Sequence, residues 1–235
     1  MEREYLSREP RQYTKKEKLA NWFYYNKWYL AIGAVILYVL GSMILNMLGI
    51  GQVKPDYCVA YMSSRRLTPE MQKTLEEGLA SFGRDLNGDG TVAVCVSQYI
   101  IAGGESMENA THDYAGEMGM LADITEGFST FFLLEDPEQF QKHYQVLSHR
   151  DSTPPDQEDY SAMDKVYRWA DCPALAALEL GEYTESYLDI TETGAFQDLL
   201  SNLYVGRRFF YDEKMEADPQ ANQAFWEAMT AGAAE

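Results

Sequence analysis

The chain has 235 residues, 46% of them hydrophobic, and carries 19 Lys and Arg against 37 Asp and Glu, a formal net charge of −18. So large an acidic surplus argues against nucleic acid as a partner, because binding a phosphate backbone requires a cationic face. The three cysteines, Cys58, Cys95 and Cys172, are too few and odd in number to build a disulfide framework.

Charge is distributed unevenly along the chain. Residues 1–28 hold seven basic side chains (Arg3, Arg8, Arg11, Lys15, Lys16, Lys18, Lys27) against four Glu, a balance of +3, whereas residues 49–235 hold twelve basic and thirty-three acidic ones, a balance of −21. Between them, residues 29–48 form a run of twenty without a charge. At about 1.5 Å per residue such a helix is roughly 30 Å long, the thickness of a bilayer's hydrocarbon core. No small-x-small cleavage site follows in residues 49–55, so the run predicts an uncleaved signal-anchor and a lipid bilayer as partner. Lys15, Lys16, Lys18 and Lys27 place the N-terminus in the cytoplasm by the positive-inside rule, and the C-terminal domain outside it. Trp22, Phe23, Tyr24, Tyr25, Trp28 and Tyr29 predict an aromatic belt at the inner interface.

A linker at 49–56 leads to a predicted α/β domain at 57–235. Residues 57–62 read as a buried strand. Thr68-Pro69-Glu70 opens a helix whose Met71, Leu75, Leu79 and Phe82 recur at helical spacing. The second strand is expected at 91–99, where Val92, Val94 and Val96 alternate with Ala93 and Cys95 and make both faces apolar. A helix at 114–126 and a third strand at 131–134 follow. The order β-α-β-α-β predicts a mostly parallel sheet of local order 2-1-3, covered by helices on both faces. Cys58 and Cys95 fall in strands; buried free thiols are expected, or a bridge if those strands pair. Beyond residue 149 the pattern weakens: 174–180 suits strand or helix, 203–210 suggests a late strand, and 219–229 a final helix. Asp136 and Asp218, each before a proline, read as helix caps rather than active-site carboxylates.

One phrase carries metal chemistry. In Asp85-Leu86-Asn87-Gly88-Asp89-Gly90-Thr91-Val92, oxygens at Asp85, Asn87 and Asp89 occupy alternate positions of a calcium loop. Gly90 permits the sharp turn and Thr91 offers its carbonyl. The position expected to carry a bidentate carboxylate is Val96. The phrase therefore predicts either a structural calcium ion (Ca2+) pinning helix to strand, or a tight turn.

Ligands of open α/β sheets bind beyond the carboxyl ends of the strands. Here that edge comprises Ser63, Ser64, Arg65 and Arg66, the loop from 98 to 111, and Glu135. The paired arginines suit a carboxylate or phosphate, or else solvated charge paired with the domain's acids. No G-x-S-x-G, H-E-x-x-H or phosphate-cradling glycine loop occurs, and His112, His143 and His149 lack metal-ligand spacing. His112-Asp113 sits at an expected helix start, where an aspartate has a capping use.

The β-α-β-α-β order, with Leu121-Ala122-Asp123-Ile124-Thr125-Glu126-Gly127 leading into a strand, resembles one lobe of the type 2 solute-binding proteins. That resemblance implies a small ligand held at the lobe's edge. The basic-aromatic head, the anchor and the Asp-Leu-Asn-Gly-Asp-Gly phrase together resemble a family of uncharacterised single-pass membrane proteins of Gram-positive gut bacteria, and imply no activity. The expected role is a membrane-anchored, non-catalytic module binding a small ligand or a protein partner. The alternatives are an extracytoplasmic, hydrolase-like enzyme and an accessory subunit of a membrane complex.

Overall fold

The computed structural model describes residues 14–47, 54–103, 107–156, 158–187 and 190–234. The chain divides into two units, residues 1–53 and 54–235.

The first unit is one helix, α1 (Lys15–Met47), of 33 residues. A reciprocal cap fixes its start. The Thr14 N–H donates to Glu17 Oε2 at 2.9 Å, and the Glu17 N–H donates back to Thr14 Oγ1 at 3.4 Å. The helix thus begins well before the apolar run, and the six aromatics of the expected belt lie on regular helix. Two polar side chains inside it bond back to the helix: Ser42 Oγ donates to Tyr38 O at 3.0 Å and Asn26 Nδ2 to Trp22 O at 2.8 Å. That back-bonding is what a polar group needs in a hydrocarbon setting. Lys15–Ile44 is long and apolar enough to cross a membrane. Leu48, the last residue of the expected span, and the linker up to residue 53 lie outside the described residues.

The second unit is mixed α/β. Its elements are β1 (Tyr57–Ser63), α2 (Pro69–Ala80), β2 (Val94–Ile100), α3 (Met107–Glu126), β3 (Phe131–Leu134), α4 (Pro137–Tyr144), β4 (Val166–Arg168), α5 (Pro173–Ala176), β5 (Glu182–Tyr187), β6 (Ile190–Ala195), α6 (Phe196–Leu200), β7 (Tyr204–Arg207) and α7 (Pro219–Met229). The main sheet has the order β2-β1-β3-β7-β4. β1 runs parallel to β2 and β3, and β7 runs antiparallel to both of its neighbours, so it alone opposes the other four strands. β5 and β6 form a separate antiparallel hairpin.

Alternation along the central strands sorts the core into two layers. Tyr57, Val59, Tyr61, Val94, Val96, Phe131 and Leu133 pack with Met71, Leu75 and Leu79 of α2 and Phe225 and Trp226 of α7. On the other face Ala60, Phe132 and Leu134 pack with Met120 of α3 and Phe140 of α4. Tyr57 stacks on Phe225 with centroids 4.2 Å apart, an arrangement worth about 1 kcal/mol beyond the area it buries. Thr68, Asp136 and Asp218 accept from Met71 N, Gln139 N and Ala221 N at 3.3, 2.9 and 2.9 Å, so all three act as helix caps.

Several expected boundaries move. β2 starts at Val94 rather than residue 91, because the Ala93 N–H is taken by Asp56 Oδ2 at 2.8 Å before the ladder begins. α3 starts at Met107, so Asp113 lies within the helix and does not cap it. Its carboxylate instead accepts from Ala102 N at 2.6 Å and Gly103 N at 3.1 Å, tying down the preceding loop. Residues 174–180 contribute one helical turn, and the late strand is confined to Tyr204–Arg207.

Candidate functional site

Because β1 pairs in parallel with β2 and β3, their carboxyl ends meet at one edge. Ser63 lies opposite Ile100, and Met62 opposite Leu134. Glu135 follows directly, its N–H donating to Met62 O at 3.0 Å. The Glu135 carboxylate turns back across the end of β1. Its Oε2 accepts from Ser63 Oγ at 2.7 Å, Ser64 N at 2.6 Å and Ser64 Oγ at 2.8 Å. Burial pushes the Glu135 pKa up, but the Ser64 N–H and the two serine hydroxyls outweigh it and hold the carboxyl below its ordinary value. Beside this knot lies a cleft of about 210 Å³, walled by Met62, Ser63, Ser64, Ile101, Gly103, Glu135, Asp136 and Gln139.

The four residues expected to bind ligand are therefore divided. Ser63 and Ser64 line the cleft. Arg65 turns towards the β5–β6 hairpin, where its Nη2 meets Glu185 Oε2 at 2.6 Å and Glu192 Oε2 at 3.4 Å and its guanidinium lies 5.0 Å from the Tyr183 ring centre. Arg66 is exposed and does not line the cleft. With Arg65 drawn to the hairpin, the polar groups of the largely apolar cleft wall include the Glu135 and Asp136 carboxylates and the Ser63 and Ser64 hydroxyls. Its chemistry thus suits an ammonium or hydroxyl donor rather than the anion the arginine pair suggested. The hairpin acids are not legible in the sequence because they lie 120 and 127 residues from Arg65 in a stretch without apolar alternation.

The loop at 85–91 folds around its own side chains. Asp85 Oδ1 accepts from Gly88 N at 2.6 Å and Oδ2 from Gly90 N at 2.7 Å. Asn87 Oδ1 accepts from Asp89 N at 2.9 Å, and Asp89 Oδ1 from Thr91 N at 2.9 Å and Thr91 Oγ1 at 2.7 Å. The Thr91 hydroxyl, seconded by its N–H, keeps the Asp89 carboxyl below its ordinary value. Gly88 and Gly90 have φ of 77° and 90°, a left-handed backbone that favours glycine. The donor set is hard oxygen, as calcium requires, but Asp85, Asn87, Asp89 and the Thr91 carbonyl fall short of the usual six to eight ligands. Val96 adds none: it is a buried strand residue whose N–H donates to Glu76 Oε1 at 2.9 Å.

A second cluster has no local signal in the sequence. His149, Asp159 and Asp164 bring potential ligand atoms within 4.8 Å of one another. The cation among them is the protein's own. The fully buried Lys165 Nζ donates to Asp159 Oδ2 at 2.6 Å, Ser161 O at 2.9 Å and Asp164 Oδ1 at 3.3 Å. Hydrogen bonds from Lys165 first, and then from the Ser161 hydroxyl, lower the Asp159 pKa to about 2. The cluster closes the 149–165 segment on itself, just before β4, and has a structural use.

No family model, no curated protein and no solved structure matches this chain.

Proposed function

We propose that the chain is a single-pass membrane protein, N-terminus in the cytoplasm, which displays its acidic α/β domain outside the membrane and binds a small ligand or protein partner there without transforming it. The observation that carries the reading is the cleft at the carboxyl edge of β1 and β3, where Ser63, Ser64 and Glu135 converge. Binding is favoured over catalysis by the state of Glu135. A general base works best with a pKa near the operating pH, and the hydrogen bonds to Glu135 pull it the other way. A calcium ion at Asp85, Asn87, Asp89 and Thr91, if bound, has a structural role between α2 and β2.

The test is a thermal-shift screen of the full chain in detergent micelles, comparing primary amines and polyols with carboxylates and phosphates. Stabilisation by the first group, lost in Glu135→Gln, is the expected result. Stabilisation by anions alone, or shifts indifferent to Glu135, would place the site elsewhere.

A further inference from the structure

At the opposite, amino-terminal edge of the same strands lie two cysteines. Cys58 of β1 and Cys95 of β2 are exact register partners on adjacent parallel strands. The core places both on the same face: Tyr57, Val59, Val94 and Val96 point to the α2 layer, so Cys58 and Cys95 point to the α3 side. In-register neighbours on adjacent strands have Cα atoms about 4.8 Å apart, inside the range of about 4.4–6.8 Å that a disulfide spans. Both thiols are free and only half-buried, whereas Cys172 is buried in the other layer.

We infer that Cys58 and Cys95 are a reactive dithiol that closes to a cross-strand disulfide by exchange with a small external disulfide. The chemistry of the two sulfurs differs in the way such exchange needs. The adjacent Cys58 thiol supports the Cys95 thiolate and lowers its pKa to about 7; the same contact, with burial and the neighbouring Asp123 charge, pushes Cys58 up. Cys95 also lies on the edge strand β2, whereas Cys58 lies on β1 inside the sheet, so Cys95 is the attacking sulfur. Its thiolate bonds to one sulfur of R–S–S–R and expels R–S⁻. Cys58 then gives its proton to solvent and attacks the Cys95 sulfur, expelling the second R–S⁻. Two protein thiols and one external disulfide become one protein disulfide and two R–SH, so the external disulfide is reduced as the pair is oxidised. The new bond encloses α2 and the 85–91 loop, and limits the freedom of that segment in the unfolded chain.

The experiment incubates the full chain in detergent with oxidised glutathione, then blocks remaining thiols and maps peptides. The expected product is a Cys58–Cys95 crosslink with Cys172 alkylated, and a melting temperature raised by several degrees that returns on reduction. Cys58→Ser should instead hold glutathione stably on Cys95, while Cys95→Ser should slow the reaction at Cys58 at least tenfold. A wild-type chain that stops at a mixed disulfide, or links through Cys172 or to a second chain, would overturn the inference. Because the wild-type map alone decides this, a variant that misfolds does not blunt the test.

Discussion

Glu135 lies within 2.7 Å of the Ser63 hydroxyl and bridges the ends of two parallel strands across a separation of 72 residues. A carboxylate in this place closes the donor-rich end of β1 with a charge the protein supplies itself. Glu135→Ala should cost about 1 kcal/mol, the lower end for a charged hydrogen bond because the side chain is exposed to screening. The sign of its pH dependence is fixed by the lowered pKa. The contribution is fully present above the unfolded-state value, near 4.3, and fades as pH falls through the folded one. Urea melts between pH 6 and pH 3 should show a wild-type decline that is shallower in Glu135→Gln.

Calcium should raise the melting temperature if the 85–91 loop closes on it. With about 10 mM ion and a Kd of about 1 mM, typical of extracellular sites, linkage gives roughly 1.4 kcal/mol, or about 3–6 °C. Chelator, or Asp85→Asn with Asp89→Asn, should abolish the shift. Calorimetry that finds no shift reduces the loop to a turn held by its own amides.

Lys165→Met should destabilise by about 2–3 kcal/mol, somewhat less than a fully buried pair because Asp159 retains solvent contact. Adding Asp159→Asn should recover part of the loss, which a double-mutant cycle by denaturant unfolding measures. The lowered Asp159 pKa means this stabilisation is present above the unfolded value, near 3.9, and lost as pH falls towards about 2.

Arg65→Ala should free the β5–β6 hairpin while leaving global stability within about 1 kcal/mol. Hydrogen exchange of the hairpin amides should accelerate several-fold with the β1 and β3 amides unchanged. Unaltered hairpin exchange would show that Arg65 is not what restrains it.

The sequence reveals those parts whose signal is local. The two apolar faces of 57–62 and 131–134 force a covered sheet, and each cap-then-proline phrase marks a helix start because its hydrogen bond spans three residues. The β5–β6 hairpin is invisible by the same logic. Glu182–Tyr187 is built of polar and aromatic residues, with Tyr183 buried between exposed Glu182 and Thr184, and no apolar alternation betrays it. β4 has only three residues, too few to show a period. The cleft is half legible: Ser63, Ser64 and Glu135 follow from strand ends, but the partners that draw Arg65 away are set by tertiary contact alone.

Lys165 has one more consequence, for how the domain responds to its surroundings. A diffusible ion leaves its site when the medium is dilute or a chelator competes. An ammonium tethered by a side chain keeps the same local concentration in every medium. The corner around Asp159 and Asp164 is therefore assembled once, at folding, and holds without drawing on external divalent ions. The domain gains in this way a joint whose strength is set by its sequence and not by the supply of ions.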